Sequence, residues 1–175
     1  MIFTIRTARL ALRPFELGDL RTTHAYASDK ANTEYMMHLP NGTIQETEQF
    51  LCHVIDEWGK DNPQEYEFAV VIDGKHIGAA AVSLSDDGRE GELGWIIRKE
   101  YQGKGYGTEA AKAVLDFAFE KLKVKKVTAR CDLRNESSQR VMQKIGLVFE
   151  NDERMRRYKG SGEDVREVMY SLIKK

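Results

Sequence analysis

A chain of 175 residues, 41% hydrophobic and 31% charged, is long enough for one domain with a sizeable core. Its 27 basic and 28 acidic residues leave a formal charge of −1, which argues against a sequence-independent nucleic-acid binder but leaves room for a small basic pocket for a phosphorylated ligand. Cys52 and Cys131 are too few and too far apart for a disulfide framework or a zinc site, and neither a signal peptide nor a run approaching the ~20 apolar residues of a membrane span is visible, so a cytoplasmic protein without metal, membrane or nucleic-acid partners is expected.

In chain order, residues 3–13 alternate apolar and polar positions (Phe3, Ile5, Leu10, Leu12) and predict one strand stopped by Pro14. Residues 16–29 have helical composition. Residues 29–43, with Met36, Met37, Pro40, Asn41 and Gly42, read as irregular or briefly helical. Phe50, Leu51, Val54, Ile55 and Trp58 recur at spacings of three and four, which predicts an amphipathic helix over 44–58. The period then becomes two. Residues 66–72 and 75–84 flank Asp73-Gly74, a two-residue hairpin signal, and a turn at 85–90 leads to a strand at 91–97. Residues 66–97 therefore read as an antiparallel meander.

Gly103, Gly105 and Gly107 come next and run into a helix with Ala111, Leu115, Ala118 and Leu122 on one face and Glu109, Lys112, Asp116 and Glu120 on the other. Residues 125–133 predict a strand, parallel to 91–97 because a helix crosses between them. Asn135 is placed to open a second helix with Val141, Met142 and Ile145 apolar, and Gly146 to end it. Residues 147–151 and 165–173 read as a closing antiparallel pair around the turn-rich 159–164. With no repeat, linker or low-complexity segment, one mixed α+β domain over 1–175 is expected.

The three glycines at alternating positions suit a phosphate site, because glycine lets consecutive backbone N–H groups reach an anion at a helix N-terminus. The dinucleotide fingerprint requires glycine at its sixth position, where Thr108 stands, and the P-loop requires Lys-Ser/Thr after its last glycine, where Thr108-Glu109 stands. Gln102-Gly103-Lys104-Gly105-Tyr106-Gly107 instead has the form Gln-x-x-Gly-x-Gly and resembles the acetyl-coenzyme A motif of the GCN5-related N-acetyltransferases. Residues 7–19 (TARLALRPFELGD), 91–110 and 135–150 (NESSQRVMQKIGLVFE) resemble, in family order, segments of the branch typified by the RimJ/RimL ribosomal-protein acetyltransferases.

The resemblance implies a fold and a pose. The fold is a central mixed, mostly antiparallel sheet of about seven strands with flanking helices, whose fourth and fifth strands, around 93–97 and 127–132, splay apart. The pantetheine arm of acetyl-CoA would lie in the gap against backbone groups of Trp95, Ile96 and Ile97, with its phosphates over Gln102, Gly103, Lys104, Gly105, Tyr106, Gly107 and Thr108. Asn135, Ser138 and Lys144 would face the cofactor. Lys104 reads either as a charge partner of the phosphates or as a solvated surface lysine, and Asn135 as a cofactor contact, an N-cap, or both.

Acyl transfer to an amine needs a neutral amine, a stabilised oxyanion and a protonated leaving thiolate. Glu92 matches the branch's Glu-x-Gly-Tyr glutamate and is the candidate base, with an exposed strand glutamate as the other reading. Many relatives carry a tyrosine four residues before the Gly146 position to protonate the thiolate; Met142 stands there, which leaves Ser138 or a water. Residues 29–43 and 153–164 would build the acceptor site for a protein N-terminus, ribosomal or other, or a small amine. Tyr158 and Tyr170 fit that site or the core. His24, His38, His53 and His76 show no metal-ligand spacing, and Cys131 reads as a buried strand residue. A non-catalytic CoA-binding module and a nucleotide-binding protein are the alternatives, and exposed sheet edges favour a homodimer.

Overall fold

The computed structural model describes residues 4–158 and 161–174; Phe3, Lys159 and Gly160, at the edges of the predicted first strand and last turn, lie outside them. The chain order is β1 (Ile5–Arg6), β2 (Ala11–Pro14), a 3-10 turn (Leu17–Asp19), α1 (Leu20–Ala27), α2 (Ile44–Trp58), β3 (Glu65–Ile72), β4 (Lys75–Leu84) and β5 (Glu90–Ile97). A second 3-10 turn (Lys99–Tyr101) leads to α3 (Tyr106–Glu120), β6 (Lys126–Asp132), α4 (Glu136–Lys144), β7 (Val148–Arg157) and β8 (Asp164–Ile173). The strands form one sheet in the order β1-β2-β3-β4-β5-β6-β8-β7. Every pair is antiparallel except β5 with β6, which α3 joins as a crossover.

The amphipathic helix and the meander lie where their periods place them. Asp73 (φ 48°) and Gly74 (φ 73°) both adopt left-handed backbone, the conformation of the tight hairpin turn that their sequence signals. Gly146, at φ 93°, follows α4. Leu122 packs against the core but lies beyond the end of α3.

Two predicted boundaries are corrected. Residues 3–13 do not form one strand: the chain folds back at Thr7–Leu10, where Thr7 N donates to Leu10 O (2.9 Å) and Leu10 N to Thr7 Oγ1 (2.9 Å). The threonine side chain supplies the turn that the alternation alone conceals, and the sheet consequently has eight strands instead of about seven. The closing pair is also longer than predicted, because β7 runs on to Arg157 with two register shifts against β8. Its second half is charged (Glu153, Arg154, Arg156, Arg157), as suits a strand at the edge of a sheet.

One face of the sheet packs on α3 and carries the main core, with Phe68, Leu115, Val114 and Val127 fully buried. Phe68 holds its ring 5.1 Å from that of Trp58 and 5.3 Å from that of Phe117, both edge-on. The opposite face meets α2 in a smaller cluster of Phe15, Leu51, Val54, Ala69 and Ala79, with Ile96 packed against it.

A buried polar knot ties α1 to that face. Arg13 grips Asp19 with two bonds (2.7 and 2.8 Å), and His76 sets Nδ1 2.8 Å from Thr22 Oγ1 and Nε2 2.8 Å from the Gly78 carbonyl. Burial pushes the His76 pKa below its ordinary value, against the opposing pull of Asp19. The unfolded chain therefore binds a proton at this ring more readily than the folded one, and stability from His76 is lost as pH falls below the ordinary histidine pKa of about 6.5. Urea midpoints measured from pH 8 down to pH 5 should fall more steeply for the wild type than for His76→Gln; parallel curves would contradict this.

Candidate active site at a strand fork

The site begins with an interrupted ladder. β5 and β6 pair in register from Glu90↔Lys126 to Leu93↔Ala129 and no further, although β5 continues to Ile97 and β6 to Asp132. The other side of β5 stays paired with β4 throughout, with Gly94 opposite Ala81 and Ile97 opposite Gly78. Along Trp95–Ile97 β5 thus has an edge to which β6 offers no partner, with the Ile97 carbonyl on it engaged by Gln102 Nε2. Such an edge seeks an extended ligand carrying its own donors and acceptors.

A cavity of about 470 Å³ opens at this fork. Its walls are Trp95, Ile96 and Ile97 of β5, the turn residues Gln102, Gly103, Gly105, Tyr106, Gly107 and Thr108, and Asn135, Ser138 and Lys144 of the α4 segment. Asn32, Glu34, Tyr35 and Met36 of the loop after α1 close another side. Twelve of the fourteen residues singled out in the sequence therefore line one cavity. The two outside its lining are Lys104 and Glu92. Lys104 Nζ turns back to the Glu100 carbonyl (3.1 Å) and lies 5.5 Å from the centre of the Tyr101 ring.

The glycine turn has the electrostatics of an anion site. Gly105, at φ 82°, caps α3 in the left-handed conformation, where a Cβ would be strained. No side chain caps α3, whereas Thr43 caps α2 and Asn135 caps α4. The first N–H groups of α3 are left for a ligand at the positive end of the helix dipole. Gln102 acts structurally: its Nε2 donates to the Ile97 carbonyl (2.8 Å) and ties the turn to the end of β5.

The turn is held from outside by residues that sequence reasoning missed. Thr7 Oγ1 donates to Glu109 Oε1 (2.6 Å), as does Arg9 N (2.9 Å), while Arg9 Nε pairs with Glu109 Oε2 (2.7 Å). Arg9 Nη1 also donates to the Lys104 carbonyl (3.0 Å), and its guanidinium lies 4.6 Å from the centre of the Tyr106 ring. Burial works to raise the Glu109 pKa, but the bonds from Thr7 and Arg9 outweigh it and hold the carboxyl below its ordinary range. With one carbonyl of the turn engaged on the outside, its amides are left for the cavity. No local signal connects residues about a hundred positions apart. A second missed group is Asn32, whose buried Nδ2 has no hydrogen-bond partner among the described residues. It lines the cavity as an unsatisfied donor.

At the far wall, Asn135 Oδ1 accepts from Ser138 N (3.0 Å) as the α4 cap, which leaves its amide N–H₂ available to the cavity. The Ser138 hydroxyl makes no hydrogen bond among the described residues. Met142 is buried at 1% exposure and has no proton to give. Glu92 is ion-paired with Arg130, which also approaches Glu167 (3.5 Å), and Glu167 is bonded to Arg156 (2.8 Å).

Burial pushes the Cys131 thiol up to about 12, which keeps it protonated and inert at neutral pH. Tyr158 donates to the buried Asp132 carboxylate (2.7 Å), and Tyr170 belongs to the core cluster. His24 bonds Thr47 (2.8 Å) and His53 bonds Glu65 (3.0 Å). Among the described residues no group of three or more His, Cys, Asp or Glu side chains is arranged to hold a metal. No helix there is long and apolar enough to cross a membrane.

Comparison with known proteins gives a consistent family. Residues 9–148 match the family model described as an acetyltransferase (GNAT) domain. The Bacillus subtilis (strain 168) protein named "Uncharacterized N-acetyltransferase YnaD" is 31% identical over 143 residues, covering 82% of this chain and 81% of that protein. The spermidine N(1)-acetyltransferase of Escherichia coli (strain K12) is 30% identical over 143 residues, covering 81% and 74%. Among solved structures, a GNAT-family acetyltransferase from Bacillus anthracis superposes with a TM-score of 0.81 at 27% identity, covering 98% of both chains.

If the hairpin clamp sets the turn, Arg9→Ala should weaken calorimetric affinity for acetyl-CoA about fivefold, the equivalent of roughly 1 kcal/mol for one lost charged bond, while leaving the fold intact. An unchanged dissociation constant would show that the turn holds its shape without Arg9.

Proposed function

The chain belongs to the GNAT acetyltransferase family, and on that premise we propose that it moves the acetyl group of acetyl-CoA directly onto a primary amine, either a protein N-terminal α-amine or a small-molecule amine. The observation that carries this reading is the meeting, in one cavity, of the free edge of β5 and the uncapped glycine turn. An extended ligand with amides along one arm and a pyrophosphate at its end suits both.

The residues present fit the cofactor. The amides at 103–108 would hold the pyrophosphate, Trp95, Ile96 and Ile97 would pair with the pantetheine amides, and the unsatisfied Asn32 Nδ2 and the free amide of Asn135 are further donors. Acetyl-CoA supplies a thioester carbonyl that an amine can attack. Direct transfer is favoured over an acyl-enzyme because Cys131, the buried thiol near the fork, stays protonated.

The attacking nitrogen sheds two protons in the course of amide formation. One must leave before attack, since an α-ammonium with a pKa near ~8 is only partly neutral at pH 7. The other reaches the departing sulfur. Ser138 lines the cavity with an uncommitted hydroxyl and is the proposed proton source there, directly or through a water. Glu92 shapes the charge at the fork through Arg130, and its use as a base requires it to leave that partner. The acceptor would enter between the 29–43 loop, which brings Glu34 and Tyr35 to the cavity, and the 153–164 segment, where Arg156 Nη1 reaches the Tyr35 carbonyl (3.5 Å).

Release of free thiol from acetyl-CoA should depend on added amine in a screen of Ala- and Ser-initiated peptides, polyamines, amino acids and aminoglycosides. Ser138→Ala should lower kcat by about tenfold or less, because a thiolate of pKa near ~8.5 already leaves fairly well. Acetyl-CoA binding with no amine-dependent release would point to a non-catalytic CoA-binding module. Tight ATP or NAD binding without acetyl-CoA binding would overturn the reading altogether.

A further inference from the structure

We infer that Glu67 is the base of this site: it receives the acceptor's ammonium in a trough over Ala81 and Gly94 and takes its proton. The inference rests on the acetyl-transfer reading above and names the group that reading leaves open.

The placement follows from register. Glu67 of β3 pairs with Ala81 of β4, which pairs with Gly94 of β5, so the three form one row across the sheet. The row lies on the face shared by Ala69, Ala79 and Ile96, towards α1 and α2. Gly94 follows Leu93, the last β5 residue paired to β6, and so stands at the mouth of the fork. Two small residues next to Glu67 leave a trough: Gly94 is exposed, and a Cβ placed there would meet nothing within 4 Å. Ile96, two residues along on the same face, lines the cavity. An amine nitrogen over Gly94 would therefore have the fork on one side and, across Ala81, the Glu67 side chain on the other.

The charge state of that face singles out Glu67. Several carboxylates there are held by guanidinium groups: Asp19 by Arg13, Glu92 by Arg130, and Glu167 by Arg130 and Arg156, while Glu65 beside it has only His53, a cation when protonated. Glu67 has no cation and no side-chain hydrogen bond among the described residues. It is only half-buried, so solvent or a ligand reaches it, while protein surrounds it closely enough that burial, helped by the charge of Glu65, lifts its pKa to about 8. From α1, the buried Tyr26 hydroxyl has no hydrogen-bond partner among the described residues, and its phenol is pushed up first by burial and then by the Glu67 charge. Thr23 Oγ1, three residues before it, is likewise buried and unpartnered among the described residues. Without a cationic partner this carboxyl stays largely protonated at neutral pH, and a cation in the space beside it favours its ionised form.

The proton balance suits this group. An ordinary glutamate, with a pKa near ~4.3, is a weak acceptor from an ammonium of pKa about 8 to 10, whereas a carboxyl near 8 exchanges a proton with it at little cost. The ammonium gives one proton to Glu67, the neutral nitrogen attacks the thioester carbon, a C–N bond forms and the C–S bond breaks. The second nitrogen proton ends on sulfur, giving free CoA thiol, and Glu67 returns its proton to water.

The test compares propylamine with 2,2-difluoropropylamine, whose fluorines leave it mostly neutral in mildly alkaline buffer. For Glu67→Gln, kcat/KM should fall about a hundredfold or more with propylamine and by less than about fivefold with the fluorinated amine. Glu67→Asp should recover part of the loss, Glu92→Gln should not discriminate between the two amines, and acetyl-CoA affinity by calorimetry should be unchanged throughout. Because Glu67→Gln replaces a carboxyl whose ionisation burial opposes with a neutral group of the same shape, its thermal midpoint should hold or rise, so an activity loss would not reflect misfolding. Equal losses on both amines, or none, would overturn the role of Glu67 and leave acetyl transfer standing. A wild type that binds acetyl-CoA yet releases no thiol with these two amines or with any amine of the acceptor screen would remove both.

Discussion

The fork between β5 and β6 is the constraint from which the rest of the site follows. Two parallel strands are paired over four residues each and then separate, which leaves a stretch of β5 with a strand partner on one side only. Unpaired backbone inside a protein is expensive, so the gap is a ready seat for something that completes the ladder. The crossover helix starts beside the open end of the gap, and this puts its N-terminal amides and the bare edge of β5 around a single cavity. One topological feature thus provides both halves of an extended, anionic ligand's requirements.

What keeps the two halves aligned is not local. The turn is fastened at one end by Gln102 to the last residue of β5 and on its outer side by Arg9 and Thr7 of the first hairpin. Arg9 engages a carboxylate, a carbonyl and an aromatic face at once, a combination suited to a planar guanidinium and not to lysine. The polar work on the sheet divides along the same line. On the β6 side of the fork, acids and bases are matched in a chain from Glu92 to Arg156, whereas Glu67 on the β3 side has no ion pair among the described residues.

The fold was legible where period and punctuation agree. The helix over 44–58 and the Asp73-Gly74 hairpin are written in adjacent residues, and so is the parallel relation of β5 and β6, because a crossover helix permits little else. The glycine turn and the Asn135 cap were legible for the same reason. The first hairpin was not, because Thr7 makes a turn through its side chain within an unbroken alternation. The far half of β7 was hidden by its charges. Among site residues, Arg9 and Asn32 carry no spacing signal: one acts on a partner about a hundred residues away, and the other matters only because its amide is left unsatisfied. Glu92 drew notice through a motif, but its ion pair with Arg130 depends on a register that no motif states.

The sheet order has one more effect, on how the molecule is assembled as it is synthesised. β8 lies between β6 and β7, so β6 meets its second neighbour only through residues 164–173. Until those residues emerge from the ribosome, the outer arm of the fork is a strand held at one short parallel contact, with Arg130 facing Glu92 but not yet Glu167. The nascent chain can form its meander, its crossover helix and its glycine turn early, and still lack a rigid cleft. A rigid cleft therefore waits on β8, which follows every other strand of the sheet in chain order.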